Sequence, residues 1–384
     1  MRLKYIILII HITSCMSVWA EYMVDSELSK PTIQSPEIYP GIDPKNSIAE
    51  PTINPSGCYH TQEGKNIFSP ISILYWMAST DGTIVNQFPW NGGLVTYTPS
   101  GIGREVFLPT EYKPGFKIGL GYNSNLDDWT TLLEYTWLHQ TTSHTHFANG
   151  SGANLSDGNV FIITASGAIG NGIVGDILNQ RWNLKVDLGD LSLSRTYYTG
   201  KRLIVEPFAG LRAASIRHTF TTNLDTSSDT APWVSTIDQS LSTIQCHSWG
   251  VGARAGAHSK WLLGAGFRMD AEASASLLFT RYTKISFNII ESTGRVENNH
   301  IFSQYENAYN TARANTEVGL GLGWGSYFGA RNQYWIDVLA SYDFSMWFSQ
   351  NLARSLADTI SRQIGNYGTD LMLQGLTLTA QVDF

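Results

Sequence analysis

Charged side chains are scarce in this sequence, and most stand alone among alternating apolar and polar residues. They make up 15% of the 384 residues, against roughly 25% in an average soluble protein. Charges that face a lumen can select ions and small solutes by sign and size. We predict that one alternating face of the chain lines a pore with Lys117, Glu134, Lys185, Asp187, Glu206, Arg212, Arg254, Glu272, Glu317, Asp337 and Asp343.

The direction of these side chains follows from the cost of placing charge in lipid. A Lys or Arg that faces lipid at the middle of a membrane costs ~2–4 kcal/mol, so the charged face is expected to meet water. Acids outnumber bases in the set, which predicts a weak preference for cations. The alternative is that many of these charges pair along the wall and affect selectivity little.

Three histidines, His139, His144 and His146, raise the question of a metal site. Their neighbours are Thr and Ser residues typical of a solvated loop. No carboxylate stands beside them at the spacing of a metal ligand. We therefore predict no metal site.

A membrane-embedded hydrolase would need a Ser–His or Asp–His constellation close to the strand ends. His218, His247 and His258 lie near predicted strand ends, but no recognisable motif surrounds them. The sequence therefore favours a protein that is not an enzyme, with no catalytic residue and no cofactor. A hydrolase stays as the weaker alternative.

The cysteines are Cys15, Cys58 and Cys246. Cys15 falls in a predicted signal segment, and the other two lack the spacing typical of metal sites. In an oxidising compartment Cys58 and Cys246 can pair with each other or crosslink neighbouring molecules. Both alternatives stay open.

β-Strands must position the charged face, because a period of two places alternate side chains on opposite faces. In the last stretch, Leu376, Leu378, Ala380, Val382 and Phe384 alternate with polar residues. A soluble edge strand can have this pattern. In an outer-membrane barrel the apolar set meets lipid and the polar set meets the lumen. Phe384 is then the expected membrane-insertion signal for the barrel assembly machinery.

Similar alternation recurs along the chain and indicates about ten strands between short turns and long polar loops. Ambiguous stretches can add more. We predict an all-β, transmembrane antiparallel β-barrel of about 12 strands, with roughly 10 to 16 allowed. Phe220 to Ser240 and Glu291 to Asn310 are predicted exposed loops, and Ser349 to Ile364 a short helix.

Residues 1–20 have the features of a signal peptide. Arg2 and Lys4 precede a short apolar run, and a small residue marks a cleavage site near Ala20. A lipoprotein signal that ends at Cys15 is the competing interpretation.

Two further segments follow. Residues 21–66 are rich in proline, which fits neither helix nor central strand, and predict a flexible periplasmic leader. The leader either stays unstructured or partly plugs the pore. Residues 67–384 are the predicted barrel with long extracellular loops.

Several short motifs carry a resemblance to a known family. They are Ile73–Trp76, Gly115–Tyr122, Asp128–Trp129, Pro207–Arg212 and Phe384. From about Phe68 to Phe384 the chain resembles the pore-forming major outer membrane protein-like families of Legionella-type and chlamydia-related bacteria. The resemblance implies an outer-membrane porin that is often abundant and can form oligomers. The leader has no counterpart in it.

The expected function is an outer-membrane porin for passive diffusion of ions and small hydrophilic solutes. Expected partners are those solutes, outer-membrane lipid and lipopolysaccharide, and the assembly machinery, while a homo-oligomer stays open. The formal net charge of −7 argues against nucleic acid as a partner. The alternative is an adhesin or structural envelope barrel that acts through its loops.

Overall fold

The computed structural model describes much of the chain beyond residue 65. The described residues are 66–80, 85–89, 104–106, 108–124, 129–147, 159–163, 173–175, 177–225, 239–293, 296–304, 309–328, 334–352 and 368–383. All of them belong to one compact unit, Ile53–Phe384. The predicted signal segment, the leader up to residue 65, most of the predicted short helix and Phe384 lie outside them.

β-Strands account for nearly all of the described residues. They are β1 (Ile67–Thr80), β2 (Val85–Pro89), β3 (Arg104–Val106), β4 (Tyr112–Asn123), β5 (Trp129–Phe147), β6 (Asn159–Ile163), β7 (Ile173–Gly175), β8 (Ile177–Arg195), β9 (Tyr197–Tyr198), β10 (Leu203–Asp225), β11 (Gln239–Gly264), β12 (Phe267–Thr293), β13 (Val296–Gln304), β14 (Tyr309–Phe328), β15 (Tyr334–Asn351) and β16 (Thr369–Asp383). In this part of the chain, no helix is long and apolar enough to cross a membrane.

The main sheet closes into an antiparallel barrel. It contains twelve strands, of which β9 and β13 lie at the margins and the other ten form the ring. The ring runs β1-β4-β5-β8-β10-β11-β12-β14-β15-β16, and β16 pairs with β1. Phe68 lies opposite Asp383 in this closing pair. The predicted transmembrane barrel is confirmed, with ten strands in place of about 12.

The short strands explain the difference in strand number. β2, β3, β6 and β7 form a separate sheet in the order β3-β2-β6-β7. They have three to five residues each, whereas a membrane-spanning strand needs ~9–11. They belong to the connections between β1 and β4 and between β5 and β8, not to the wall.

The two ends of the barrel differ in their connections. At one end, which we call the turn end, the connections are short and lie near the first residue of β1 and the last residue of β16. The tightest joins β11 to β12 through Gly264, Ala265 and Gly266, whose φ values of 111°, 53° and 82° favour glycine. The opposite end, the loop end, carries the long connections. This asymmetry is typical of outer-membrane barrels.

Several strands run further toward the loop end than the sequence suggested. The predicted loop from Phe220 to Ser240 begins with the last residues of β10 and ends with the first of β11. The predicted loop from Glu291 to Asn310 contains β13, which pairs with the end of β12. These loop predictions were therefore too long. Polar residues can continue a strand here because paired neighbours satisfy its backbone groups.

The outer face of the wall exposes large apolar side chains in a continuous belt. Exposure reaches 64% at Ile73 and Leu322 and 60% at Leu120. The apolar belt comprises Ile71, Ile73, Ile118, Leu120, Leu133, Leu191, Leu193, Leu211, Val251, Leu277, Phe279, Val318, Leu320, Leu322, Val338, Leu376 and Leu378. Soluble monomers rarely expose so large an apolar surface, whereas lipid-facing walls require it.

Candidate functional site

The barrel interior holds a group of ion pairs at mid-height, the charge cluster, formed by Asp190, Arg212, Arg254, Glu272 and Glu317. Arg212 on β10 lies at its centre, with only 2% of its side chain exposed. Its Nε and Nη2 donate to the two carboxylate oxygens of Asp190 at 2.7 and 2.6 Å. Its Nη1 and Nη2 also donate to Glu317 at 2.7 and 2.9 Å.

The contacts of Glu317 cross the lumen. β11 and β12 separate β10 from β14 in the wall, so the Arg212–Glu317 bonds span the interior. Arg254 on β11 makes a second crossing, since its Nη2 donates to Glu317 at 2.9 Å. The same nitrogen donates to Glu272 on the neighbouring strand at 2.9 Å. Side chains from strands that are not neighbours in the wall therefore meet inside the barrel at this level.

Glycine at inward positions makes room for these long side chains. Arg254 projects between Gly252 and Gly256, the inward residues on either side of it along β11. On β14, a Cβ added to Gly319 would lie 2.7 Å from Oδ1 of Asp343. The alternation of glycine with charge, visible in the sequence, thus gives an interior crowded with charged groups.

Further inward pairs lie on the β1 side of the charge cluster. Lys117 on β4 contacts Glu134 on β5, with 3.4 Å between Nζ and Oε1. The hydroxyl of Thr377 donates to Asp343 at 2.5 Å. All four side chains face the lumen, because the alternate residues on their strands form the exposed outer face.

A cavity of about 220 Å³ lies inside the barrel at the turn end, and we call it the turn-side cavity. Nη2 of Arg268 donates to Asp337 at 2.7 Å, and its Nε lies 2.8 Å from Oδ2 of Asp270. Lys260 contacts Glu206 at 3.4 Å. The charged and titratable residues that line the cavity are Glu206, His258, Lys260, Arg268, Asp270, Asp337 and Asp383.

On the loop side of the charge cluster most inward side chains are apolar, with His218, Ser248 and Thr280 among the buried polar exceptions. Buried side chains from both walls pack together there, and Leu74, Leu138 and Leu184 have no exposed surface. This apolar layer comprises Leu74, Trp76, Leu138, Trp182, Leu184, Val186, Leu188, Ile216, Phe220, Leu278, Trp347, Leu371 and Leu373. The sequence had predicted a lumen face that was polar throughout.

The structure places most of the predicted pore-lining residues on the inner face. These are Lys117, Glu134, Glu206, Arg212, Arg254, Glu272, Glu317, Asp337 and Asp343. The prediction was wrong for Lys185 and Asp187, which lie on the outer wall. Their strand, β8, turns Leu184 and Val186 inward into the apolar layer, so the charged side of this stretch faces outward.

The inward charges that the sequence interpretation missed include Lys113, Asp190, Lys260, Arg268, Asp270, Arg313 and Asp383. Asp190 lies on the same face of β8 as Leu188. The sequence interpretation had assigned that face to lipid, because it placed Lys185 and Asp187 in the lumen. Lys260 continues the inward parity of Arg254 along β11, and that signal was available. Arg268 and Asp270 lie at the start of β12, on the same face of the strand as Glu272, which was predicted to face inward.

The histidines considered for metal binding or catalysis are spread over the barrel, except for His144 and His146 on β5, whose ring centroids lie 4.4 Å apart. His139 is on the outer wall, where its Nε2 lies 3.1 Å from Oδ1 of Asp187. His218 is buried inside, His247 faces outward, and His258 lines the turn-side cavity. Within the described ranges, no three potential metal ligands come together.

Cys246 is a free, buried thiol that packs against Tyr282 and Ile285. Cys58 lies outside the described residues. The proposed pairing of the two cysteines therefore stays a prediction.

A sequence model described as the Legionella pneumophila major outer membrane protein precursor matches residues 70–384, nearly the whole barrel. The chain belongs to this major outer membrane protein family. Its barrel therefore lies in the outer membrane, and the family resemblance seen in the sequence is confirmed. In this membrane, the turn end of such a barrel faces the periplasm and the loop end faces outside. No curated protein matches the chain.

Solved outer-membrane barrels are similar at low identity. The outer membrane protease OmpT from Escherichia coli is 9% identical, with 85% of this chain and 99% of that chain covered and a TM-score of 0.35. The toluene transporter TbuX from Ralstonia pickettii is 10% identical over 82% and 89%, with a TM-score of 0.27. The toluene transporter TodX from P. putida is 9% identical over 84% and 91%, with a TM-score of 0.23. At these identities and TM-scores the likeness supports no statement about the function of this chain.

Proposed function

We propose that this outer-membrane protein is a narrow porin through which ions and small hydrophilic solutes diffuse passively. The observation that supports this function is the charged interior. The turn-side cavity lies toward the periplasmic end, and His258 in its lining is 3.7 Å from Glu272 of the charge cluster. Fixed charges along a lumen determine which solutes enter.

The signs of the inward charges favour cations. The inward acids are Glu134, Asp190, Glu206, Asp270, Glu272, Glu317, Asp337, Asp343 and Asp383. The inward bases are fewer: Lys113, Lys117, Arg212, Arg254, Lys260, Arg268 and Arg313. Since acids outnumber bases, the lumen raises the local concentration of cations, and the proposed selectivity is a weak cation preference.

Two constrictions limit the flow in this proposal. The Arg212–Glu317 contact closes the charge cluster, and a solute passes when these side chains swing apart. The apolar layer is the second constriction, because narrow apolar passages hold water poorly and gate by dewetting. The proposed channel therefore has a small conductance with brief closures.

Single-channel recording tests this function. The mature chain, Glu21 to Phe384, is refolded and inserted into a planar bilayer under a KCl gradient. Stepwise insertion, a small conductance and a reversal potential on the cation side are expected. A reversal potential on the anion side contradicts the selectivity. Folded barrels, identified by heat-modifiable gel mobility, that give no conductance contradict the channel itself.

A structural or adhesive barrel is the second candidate, and the filled apolar layer favours it. A lumen packed with Leu and Trp side chains stabilises the wall and does not require transport. This candidate predicts folded barrels without conductance. It also predicts that deletion of residues 226–238, between β10 and β11, abolishes binding to a surface or neighbour without unfolding the barrel.

A further inference from the structure

Five basic residues on consecutive strands lie directly opposite one another on the outer wall. We call them the basic row: His139, Lys185, Arg217, His247 and Lys284. The register pairs His139 with Lys185, and Lys185 with Arg217. It also pairs Arg217 with His247, and His247 with Lys284. Opposite residues have Cβ atoms ~4.5–5.5 Å apart, so the row is continuous across β5, β8, β10, β11 and β12.

The basic row follows the loop-side margin of the apolar belt. One step toward the turn end, the outward residues are Trp137, Asp187, Ser215, Trp249 and Arg281. The next are Tyr135, Gly189, Ala213, Val251 and Phe279. One step toward the loop end they are Thr141, Asn183, Thr219, Gln245 and Ser286. Tryptophans on the turn-end side of the row and polar residues on its loop-end side mark the headgroup level of the outer leaflet.

The row carries more positive charge than its surroundings balance. Asp187 is the nearby acid, and it already accepts from the Tyr135 hydroxyl at 2.8 Å and lies 3.1 Å from His139 Nε2. It is 3.9 Å from Arg217, a long contact. Of the residues described, no carboxylate lies within 4.0 Å of the ammonium groups of Lys185 or Lys284. Like charges directly opposite one another destabilise a sheet, so an external anion would stabilise this arrangement.

We propose that the basic row binds the phosphate groups of lipopolysaccharide in the outer leaflet. The chemistry fits on both sides of the row. Phosphates contact the Lys and Arg side chains, while the acyl chains lie along Leu191, Leu211 and Leu277 in the apolar belt below. The row crosses four inter-strand spacings of ~4.8 Å each, a width of about 19 Å that accommodates more than one phosphate. The proposal rests on the outer-membrane location and does not depend on conductance.

The test compares lipid binding by the refolded mature chain and two matched double variants in detergent micelles. Arg217→Gln/Lys284→Gln removes two charges from the basic row. Lys201→Gln/Arg202→Gln removes two exposed charges at the turn end and serves as the control. The probes are bisphosphorylated lipid A and its dephosphorylated form, with inorganic phosphate as a competitor.

The parent chain is expected to prefer bisphosphorylated lipid A. The row variant is expected to bind it roughly 10- to 30-fold more weakly, since each basic side chain near an anionic lipid surface contributes ~1 kcal/mol. The control variant keeps the parent affinity. Equal binding of the two lipids by the parent chain, or equal losses in both variants, would overturn the proposal. Inorganic phosphate is expected to compete only at concentrations far above that of lipid A, and displacement at a comparable concentration would indicate a free-phosphate site and overturn the proposal too.

Two further measurements keep the test decisive. Heat-modifiable mobility establishes folding of each variant, and the two-lipid comparison on the parent chain needs no variant at all. Conductance of the row variant is expected to match the parent, because the row lies outside the lumen. Failure of lipid binding with normal conductance, or the reverse, therefore separates this proposal from the channel function.

Discussion

Arg212 on β10 and Glu317 on β14 bond across the lumen at 2.7 and 2.9 Å, although two wall strands separate them. Glu317 also accepts from Arg254 on β11. One carboxylate thus holds side chains from separate parts of the wall. This arrangement gives Glu317 roles in both stability and permeation, and the two can be measured separately.

Replacement of Glu317 by Ala is expected to destabilise the barrel by about 3–5 kcal/mol, because Arg212 and Arg254 each lose a buried partner. The measurement is urea unfolding in micelles, followed by tryptophan fluorescence. Glu134→Ala is the control, since its 3.4 Å pair with Lys117 is partly exposed. This change should cost below about 1 kcal/mol. Equal losses in both variants would show that the crossing contributes no special stability.

Replacement of Asp383 by Asn is expected to weaken the cation preference. Asp383 lines the turn-side cavity, so loss of its charge makes the lumen less negative. The reversal potential under a KCl gradient should move toward zero by a few millivolts. Glu111→Gln removes an equal charge from an exposed residue that pairs with Lys113 just before β4, and should leave the potential unchanged. A larger shift in Glu111→Gln would argue against selection in the cavity.

The finding that Lys185 faces outward and Val186 inward, opposite to the sequence prediction for β8, can be tested by cysteine labelling. In a Cys58→Ser background, Lys185→Cys should react readily with a charged maleimide in micelles, because position 185 faces outward. Val186→Cys should react at least tenfold more slowly, since Val186 is 1% exposed inside the apolar layer. The buried Cys246 gives little background. Fast labelling at position 186 and protection at position 185 would instead show that position 185 faces the lumen, as the sequence predicted.

Gly210 and Gly189 offer a matched pair of glycine substitutions. A Cβ at Gly210 would lie 1.9 Å from the carbonyl oxygen of Leu191, whereas a Cβ at Gly189 meets nothing within 4 Å. Gly210→Ala is therefore expected to destabilise the barrel by about 1–3 kcal/mol. Gly189→Ala should leave the free energy of unfolding nearly unchanged. The same urea titration measures both, and similar values would contradict the close packing at Gly210.

The face of a strand that points into the lumen could be predicted from the sequence wherever one face is polar and the other apolar. In β4, Phe116 and Ile118 alternate with Lys117 and Gly119, so lipid and lumen faces differ clearly. In β8, Trp182, Leu184 and Val186 alternate with Lys185 and Asp187, which gives the same pattern. Parity alone cannot say which side faces outward when the interior is itself apolar. The rule that places charge in the lumen failed there because this part of the wall lies at the lipid margin.

The partners of the inward charges could not be predicted. The Arg212–Asp190 pair needs only the register of two neighbouring strands, but Arg212–Glu317 depends on strand number, tilt and stagger together. An error of two strands changes every contact across the lumen. The charge cluster therefore needed the three-dimensional structure, although most of its members were identified as inward from sequence alternation.

The closing pair of the ring joins the two ends of the barrel domain in sequence. The hydroxyls of Ser72 on β1 and Thr379 on β16 lie 2.8 Å apart, yet 307 positions separate these residues along the chain. Contacts of such long range form slowly, because a large loop must close first. Until β16 arrives, β1 has an unsatisfied edge that can pair with another chain. Assembly of this barrel must therefore protect an early strand until the last one has been made, and truncation near the carboxyl end should lead to aggregation rather than to a smaller barrel.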